Sequence, residues 1–212
     1  MHRVSIRDKV FRFDTEEQVH AITVVIVNAA KIQRAYYSGS FDSNVPQAPV
    51  CWSADTQYPN ADVPEMQSKQ CMDCRHNIRG SAVGGGRSCR FSQNLAIAFP
   101  DNLEKSYQLH VPANSIFGRG VGNLMPLQEY ARFLNKHNTL STNVYTKVCF
   151  DGDSIMPKLF FTPTKSLEAS KIEIVAGMIN HPDTIKAITL DFTRGKENFS
   201  PFEKTEGFKI TG

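Results

Sequence analysis

Four of the chain's five cysteines, Cys51, Cys71, Cys74 and Cys89, fall within 39 residues in the pattern C-x19-C-x2-C-x14-C. In Cys71-Met72-Asp73-Cys74 the two intervening residues let both thiolates turn toward one ion. Cys51 and Cys89 complete the tetrahedron that a closed structural zinc site requires. Spacing alone leaves two other arrangements open: a pair of disulfides, or four separate thiols. Met1-His2-Arg3-Val4-Ser5 leads into charged residues without the apolar stretch of a secretory signal. The expectation is therefore a reducing, cytoplasmic compartment, which disfavours disulfides. Zn2+ is expected ahead of an iron–sulfur cluster, because cluster proteins more often bunch three cysteines tightly. Cys149, in the apolar run Val148-Cys149-Phe150, is expected to be a buried core thiol.

The segment that carries the four cysteines could not hold itself together by burial. Pro46, Pro49, Pro59 and Pro64 interrupt residues 42–90, and apolar side chains there are sparse. A structural zinc ion contributes about 10–16 kcal/mol of folding free energy in small peptides, enough to order an insertion of this size. Its charge is also distinctive. From Lys69 to Arg90 there are five basic residues (Lys69, Arg75, Arg79, Arg87, Arg90) against Asp73, a net of +4, while the whole chain carries only +3.

On either side of that segment the pattern is β-rich. Ala21–Val27 reads as a buried strand and residues 31–37 as a second one, with Leu95–Phe99 and Ser106–Pro112 as a hairpin turning at Asp101-Asn102. Val144–Phe150 and Lys158–Thr162 form another pair, turned by Asp151-Gly152-Asp153. Arg7–Arg12 alternates loosely, as an edge strand would, and Ile185–Phe192 is expected to be the last strand. Thr15-Glu16-Glu17-Gln18 has the form of a helix-start capping box. One helix is predicted after Pro126, with Leu127, Tyr130, Ala131 and Leu134 as its apolar stripe. A second carries Ile172, Val175, Ala176 and Ile179. The 212 residues suit one domain, mainly β within the α+β class. The expected architecture is an oligonucleotide-binding (OB)-like antiparallel barrel with two helices and a four-cysteine zinc insertion over 42–90. The longest apolar run is strand-sized, so no membrane span is expected.

Single-stranded nucleic acid is bound by a positive groove interleaved with aromatic faces on which bases stack. Three places offer that mixture: Arg34, Tyr36, Tyr37 and Phe41; Trp52 followed by Tyr58; and Arg87, Arg90 and Phe91 behind Gly84-Gly85-Gly86. Arg75 and Arg79 extend the basic set, and His76 is placed to substitute as a ligand or touch a phosphate. Tyr36 and Tyr37 point to opposite faces of a strand, so at most one is a platform. Trp52 serves equally as a wall shielding the cysteines. No phosphate-binding loop, dinucleotide fingerprint, nucleophile–histidine arrangement or carboxylate cluster stands out, so a non-enzymatic protein is expected.

Pro49-x-Cys51-Trp52-Ser53, Cys71-x-x-Cys74-x-x-Asn77-x-x-Gly80-Ser81 and Gly86-x-x-Cys89 followed by Leu95-Ala96 resemble a cysteine-rich signature of tailed-phage replication-region proteins. In layout the chain is similar to zinc-containing phage single-stranded DNA-binding proteins of the OB-fold type. That resemblance implies strand coating in phage replication and recombination, in the host cytoplasm, with a phage polymerase, helicase or recombinase as partners. The chain offers four cysteines where the best-known such binder uses three and a histidine. Its tail, Lys196–Gly212, balances three lysines against three glutamates rather than being acidic. The alternative is a non-enzymatic zinc-knuckle module that docks a replication or transcription partner. On the zinc reading, Cys71→Ser should release the metal and unfold residues 45–90 while sparing the rest. Metal content and limited proteolysis check this; unchanged metal content refutes it.

Overall fold

In the computed structural model, residues 2–13, 18–39 and 48–190 are described. The strands are β1 (His2–Arg7), β2 (Val10–Arg12), β3 (Gln18–Val19), β4 (Ala21–Ala29), β5 (Gln33–Tyr36), β6 (Cys51–Ser53), β7 (Cys89–Phe99), β8 (Asn102–Pro112), β9 (Val144–Phe150) and β10 (Leu159–Ser166). Four helices accompany them: α1 (Ala113–Ile116), α2 (Leu127–Lys136), α3 (Ala169–Met178) and α4 (Pro182–Ile188). Hydrogen bonds link one sheet in the order β10-β9-β4-β7-β8-β1-β2-β3, with β5 on a branch between β6 and β7. Every ladder is antiparallel except β1 on β8.

The 11-residue β7 is the spine. One edge pairs with β8 along most of its length. The other carries β5 on Cys89–Ser92 and β4 on Leu95–Ala98. Register shifts interrupt the β4–β7, β7–β8 and β9–β10 ladders, and such irregularities bend strands and increase twist. The sheet curls into a half-barrel. Among the described residues its path ends at β10 and β3, so the barrel is open, mainly β and consistent with the OB-like class.

The concave face buries Ile22, Val24, Ile26, Leu95, Ile97, Leu109, Val148 and Phe161, closed by Leu127, Tyr130 and Leu134 of α2. Three members of the expected α2 stripe are thus in the core, whereas Ala131 is exposed. The convex face packs Val25, Val27, Ala98 and Tyr145 under Val175 and Met178 of α3. Two buried pairs of hydroxyls meet between elements: the Tyr130 hydroxyl lies 2.6 Å from Thr146 Oγ1, and Ser106 Oγ 2.6 Å from Thr184 Oγ1.

Several local expectations are corrected. Arg7–Arg12 spans a hairpin, not one strand: Asp8 and Lys9 sit at φ 52° and 56°, the paired positive values of a two-residue turn that suits strand twist. Ile185 lies in α4, not in a strand. Pro182 occupies the first helical turn and His181 accepts from the Asp183 amide, a start signal that overrides the apolar run. Thr184 and Ala187 then bury one helical face against the sheet; Phe192 lies outside the described residues. Two helices were expected, and four α-helices are present among the described residues. Cys149 is half-buried, paired with Ala21 and Phe160 at the surface side of β9. The capping box at 15–18, Phe41, residues 42–47 of the insertion and the tail fall wholly or partly outside the described residues.

Phe161 is fully buried and bridges α2 and the concave face. Phe161→Ala should cost about 3–5 kcal/mol, read as a lower urea midpoint with an unchanged slope.

Candidate metal centre and nucleic-acid interface

Strand register builds the floor of the site. Tyr36 of β5 stands opposite both Cys51 of β6 and Cys89 of β7, so these three side chains share one face. Two residues back on that face, Arg34 stands opposite Ser53 and Phe91. The long loop from β6 to β7 returns over the floor with Cys71 and Cys74. It is pinned by backbone bonds at both ends: Asn60 N–H donates to the Trp52 carbonyl, Glu65 N–H to that of Val50 and Cys71 N–H to that of Gln57, each at 2.9 Å. Asp55 braces the entry by accepting from Ser53 Oγ and from the amides of Gln57 and Tyr58. A short 3-10 turn, Arg75–Asn77, follows Cys74. The glycine-rich exit folds on itself, with Gly80 N–H donating to the Gly86 carbonyl.

All four thiols are buried and unpaired as disulfides. They line one cavity of about 20 Å³ together with Arg34 and Tyr36, room for a single water-sized body. Among the described residues, no three His, Cys, Asp or Glu side chains are drawn close enough to hold an ion as they stand. The row geometry supplies a reason: Cys51 and Cys89 lie on strands two apart, with Tyr36 between them. Burial pushes the Cys89 thiol up to about 12, against the opposing pull of the Arg34 guanidinium. Burial also raises Cys51, offset by a hydrogen bond from the Gln67 amide.

Arg34 is the unexpected member. It is 4% exposed, and among the described residues it forms no ion pair. One Nη donates to the Cys71 carbonyl at 3.3 Å, the carbon of the guanidinium sits 4.2 Å from the Phe91 ring centre, and Nε has no partner. A buried cation without an anion is costly. The four cysteine sulfurs line the same cavity as Arg34 and, as thiolates, could supply negative charge; its guanidinium already acts on Cys89. A four-thiolate set around a divalent ion carries net −2, so the donor set and the buried guanidinium fit each other.

The other candidate residues divide by exposure. Arg75, Arg79, Arg87 and Arg90 are all exposed; Arg87 Nε donates to the Asn77 carbonyl at 2.6 Å. Tyr37 is half-buried, and burial raises its hydroxyl while nearby Arg90 opposes the shift. Trp52 is 5% exposed, so neither ring face is open to a base; of its two readings, the wall is the one its burial allows. Phe91 is partly covered by Arg34 and meets Phe117 edge-on at 5.7 Å. Tyr36 stacks on His76 at 3.7 Å and lines the cavity of the cysteines. The structure thus brings Arg34, Trp52 and Phe91 into the brace and leaves the four later arginines in solvent. The role of Arg34 was hidden in sequence, although its spacing of two from Tyr36 places both on one strand face.

Compared with family models, curated proteins and solved structures, the chain matches none. No helix among the described residues is long and apolar enough to cross a membrane.

If the four thiols hold zinc, Arg34→Met, which keeps length but removes charge, should weaken its retention about 10- to 100-fold in chelator competition. Arg34→Lys should recover part of it. Equal retention in all three proteins would show that the guanidinium is not matched to the thiolates.

Proposed function

We propose that this chain is a sequence-tolerant single-stranded DNA-binding protein of OB-like fold. In it Cys51, Cys71, Cys74 and Cys89 hold a zinc ion that stiffens an arginine-bearing segment. The observation that carries the reading is the division of the arginines. Arg34 is buried without a carboxylate against the four thiols, while Arg75, Arg79, Arg87 and Arg90 on the same lobe are all exposed. The ion supplies structural cross-linking; Arg34 balances its thiolate shell, and the Tyr36–His76 stack shields it. Ligation asks the four side chains to turn inward about their Cα–Cβ bonds.

The exposed guanidiniums would contact phosphates, and Tyr37 beside Arg90 offers the aromatic face on that lobe. Phosphate contact releases counterions, so affinity should fall with salt by roughly 0.7 log units per contacted phosphate for each tenfold rise in salt. The resemblance to phage strand-coating proteins adds replication and recombination as the setting, with polymerase, helicase or recombinase as partners. None of these steps requires a catalytic group.

A second reading has its own observation. Met72 and Ile78, 74% and 63% exposed, and Val83 present apolar side chains on the same lobe. A zinc-knuckle module docking a protein partner would use them, and would show no salt-linked DNA affinity.

Fluorescence anisotropy of labelled oligodeoxythymidylate at two salt concentrations separates the readings. Strand coating predicts salt-sensitive binding that is lost on chelation. Arg87→Ala should weaken all sequences alike and flatten the salt slope by about 0.7. Absence of binding at low salt would hand the lead to the docking module.

A further inference from the structure

At the opposite end of β7 from Cys89, about 33 Å along the strand, the half-barrel opens into a second cleft. Its volume is about 620 Å³, within the 300–1,000 Å³ range typical of ligand sites. Three aromatic rings form a herringbone wall. Phe13 meets Phe99 edge-on at 5.5 Å, and Phe99 meets Tyr107 edge-on at 5.0 Å. His2 lies beside Tyr107 with ring centres 5.4 Å apart, placed there by the parallel β1–β8 register. Lys105 Nζ sits 5.1 Å from the Tyr107 ring centre. Asp101 and Asn102, at the β7–β8 turn, stand exposed at the rim.

These rings pack on the concave core yet remain only partly buried. Partial burial leaves some ring surface accessible, where a flat group can stack. A purely apolar ligand would gain nothing from Lys105, Asp101 and Asn102 at the rim. A nucleotide uses all of them: its base stacks, its polar edge meets the carboxylate and amide, and its phosphate meets the ammonium. Together the cleft's size, its partly exposed aromatic rings and the Lys105 ammonium beside the Asp101 carboxylate match that chemistry.

We propose that this cleft binds one nucleotide, with its base among Phe13, Phe99 and Tyr107 and its phosphate at Lys105. The source of the nucleotide, a single strand rather than a free monomer, rests on the function proposed above. The cleft then supplies the stacking that buried Trp52 cannot, at a distance from the arginine lobe that a strand of several nucleotides would bridge.

The test uses metal-replete full-length protein with two probes, an oligodeoxythymidylate of about 12 nucleotides and thymidine monophosphate. A bromodeoxyuridine version of the oligomer is also cross-linked to wild type and the peptides mapped. Tyr107→Leu should weaken oligomer binding about 5- to 150-fold, the equivalent of one lost stacked base, without altering the salt slope. Lys105→Gln should flatten that slope by about 0.7. Cross-links should map to residues 99–107. If Tyr107→Leu binds the oligomer as wild type does and cross-links fall only in the cysteine segment, the cleft proposal fails and strand coating stands. If wild type binds the monophosphate but no oligomer, and Tyr107→Leu loses it, the cleft stands and strand coating fails. Binding of neither probe overturns both.

Discussion

The hydrogen bonding of β7 on both edges is the constraint on which the rest of the molecule depends. Its C-terminal half, Leu95–Ala98, belongs to the core, with β4 on one side and β8 on the other. Its N-terminal half, Cys89–Ser92, leaves that core and carries the branch of β5 and β6. A single continuous strand therefore fixes the cysteine lobe to the half-barrel. Two of the four cysteines, Cys51 and Cys89, are anchored on strands of that sheet, and the loop between them carries the other two.

Charge decides how that lobe can be stabilised. A buried guanidinium beside four neutral thiols is an expensive arrangement, and removing water from both makes each worse. The arrangement becomes favourable when the sulfurs are thiolates shared with a divalent ion, because the guanidinium then offsets the excess negative charge. Position and register allow this pairing: Arg34 lies two residues from Tyr36 on the face that also carries Cys51 and Cys89. The arginines outside the brace have no such partner among the cysteines and stay in solvent.

Aromatic residues follow the same division between bracing and contact. Trp52 and Phe91 are engaged at the cysteine lobe, where Trp52 walls the cavity and Phe91 lies under the Arg34 guanidinium. Phe13, Phe99 and Tyr107 lie at the other end of the half-barrel, where the curl of the sheet leaves them partly open.

Local chemistry made much of the molecule readable from its sequence. The β-branched run Ala21–Val27, the Asp101-Asn102 turn, the stripe Leu127-Tyr130-Leu134 and the cysteine spacing are signals carried within a few residues. Each corresponds to an element, or in the case of the cysteines to a shared cavity. What the sequence could not carry was any property set by partners distant in the chain. Trp52 read equally as platform or wall until β6 paired with β5 and buried it. Arg34 read as part of a basic and aromatic nucleic-acid-binding mixture, whereas in the structure it is buried and donates to the Cys71 carbonyl. The aromatic cleft joins Phe13, Phe99 and Tyr107 from strands and turns far apart in sequence, so no window along the chain contained it. Short-range periodicity and turn chemistry determined the elements. Burial and charge pairing are long-range quantities, and only the tertiary structure decided them.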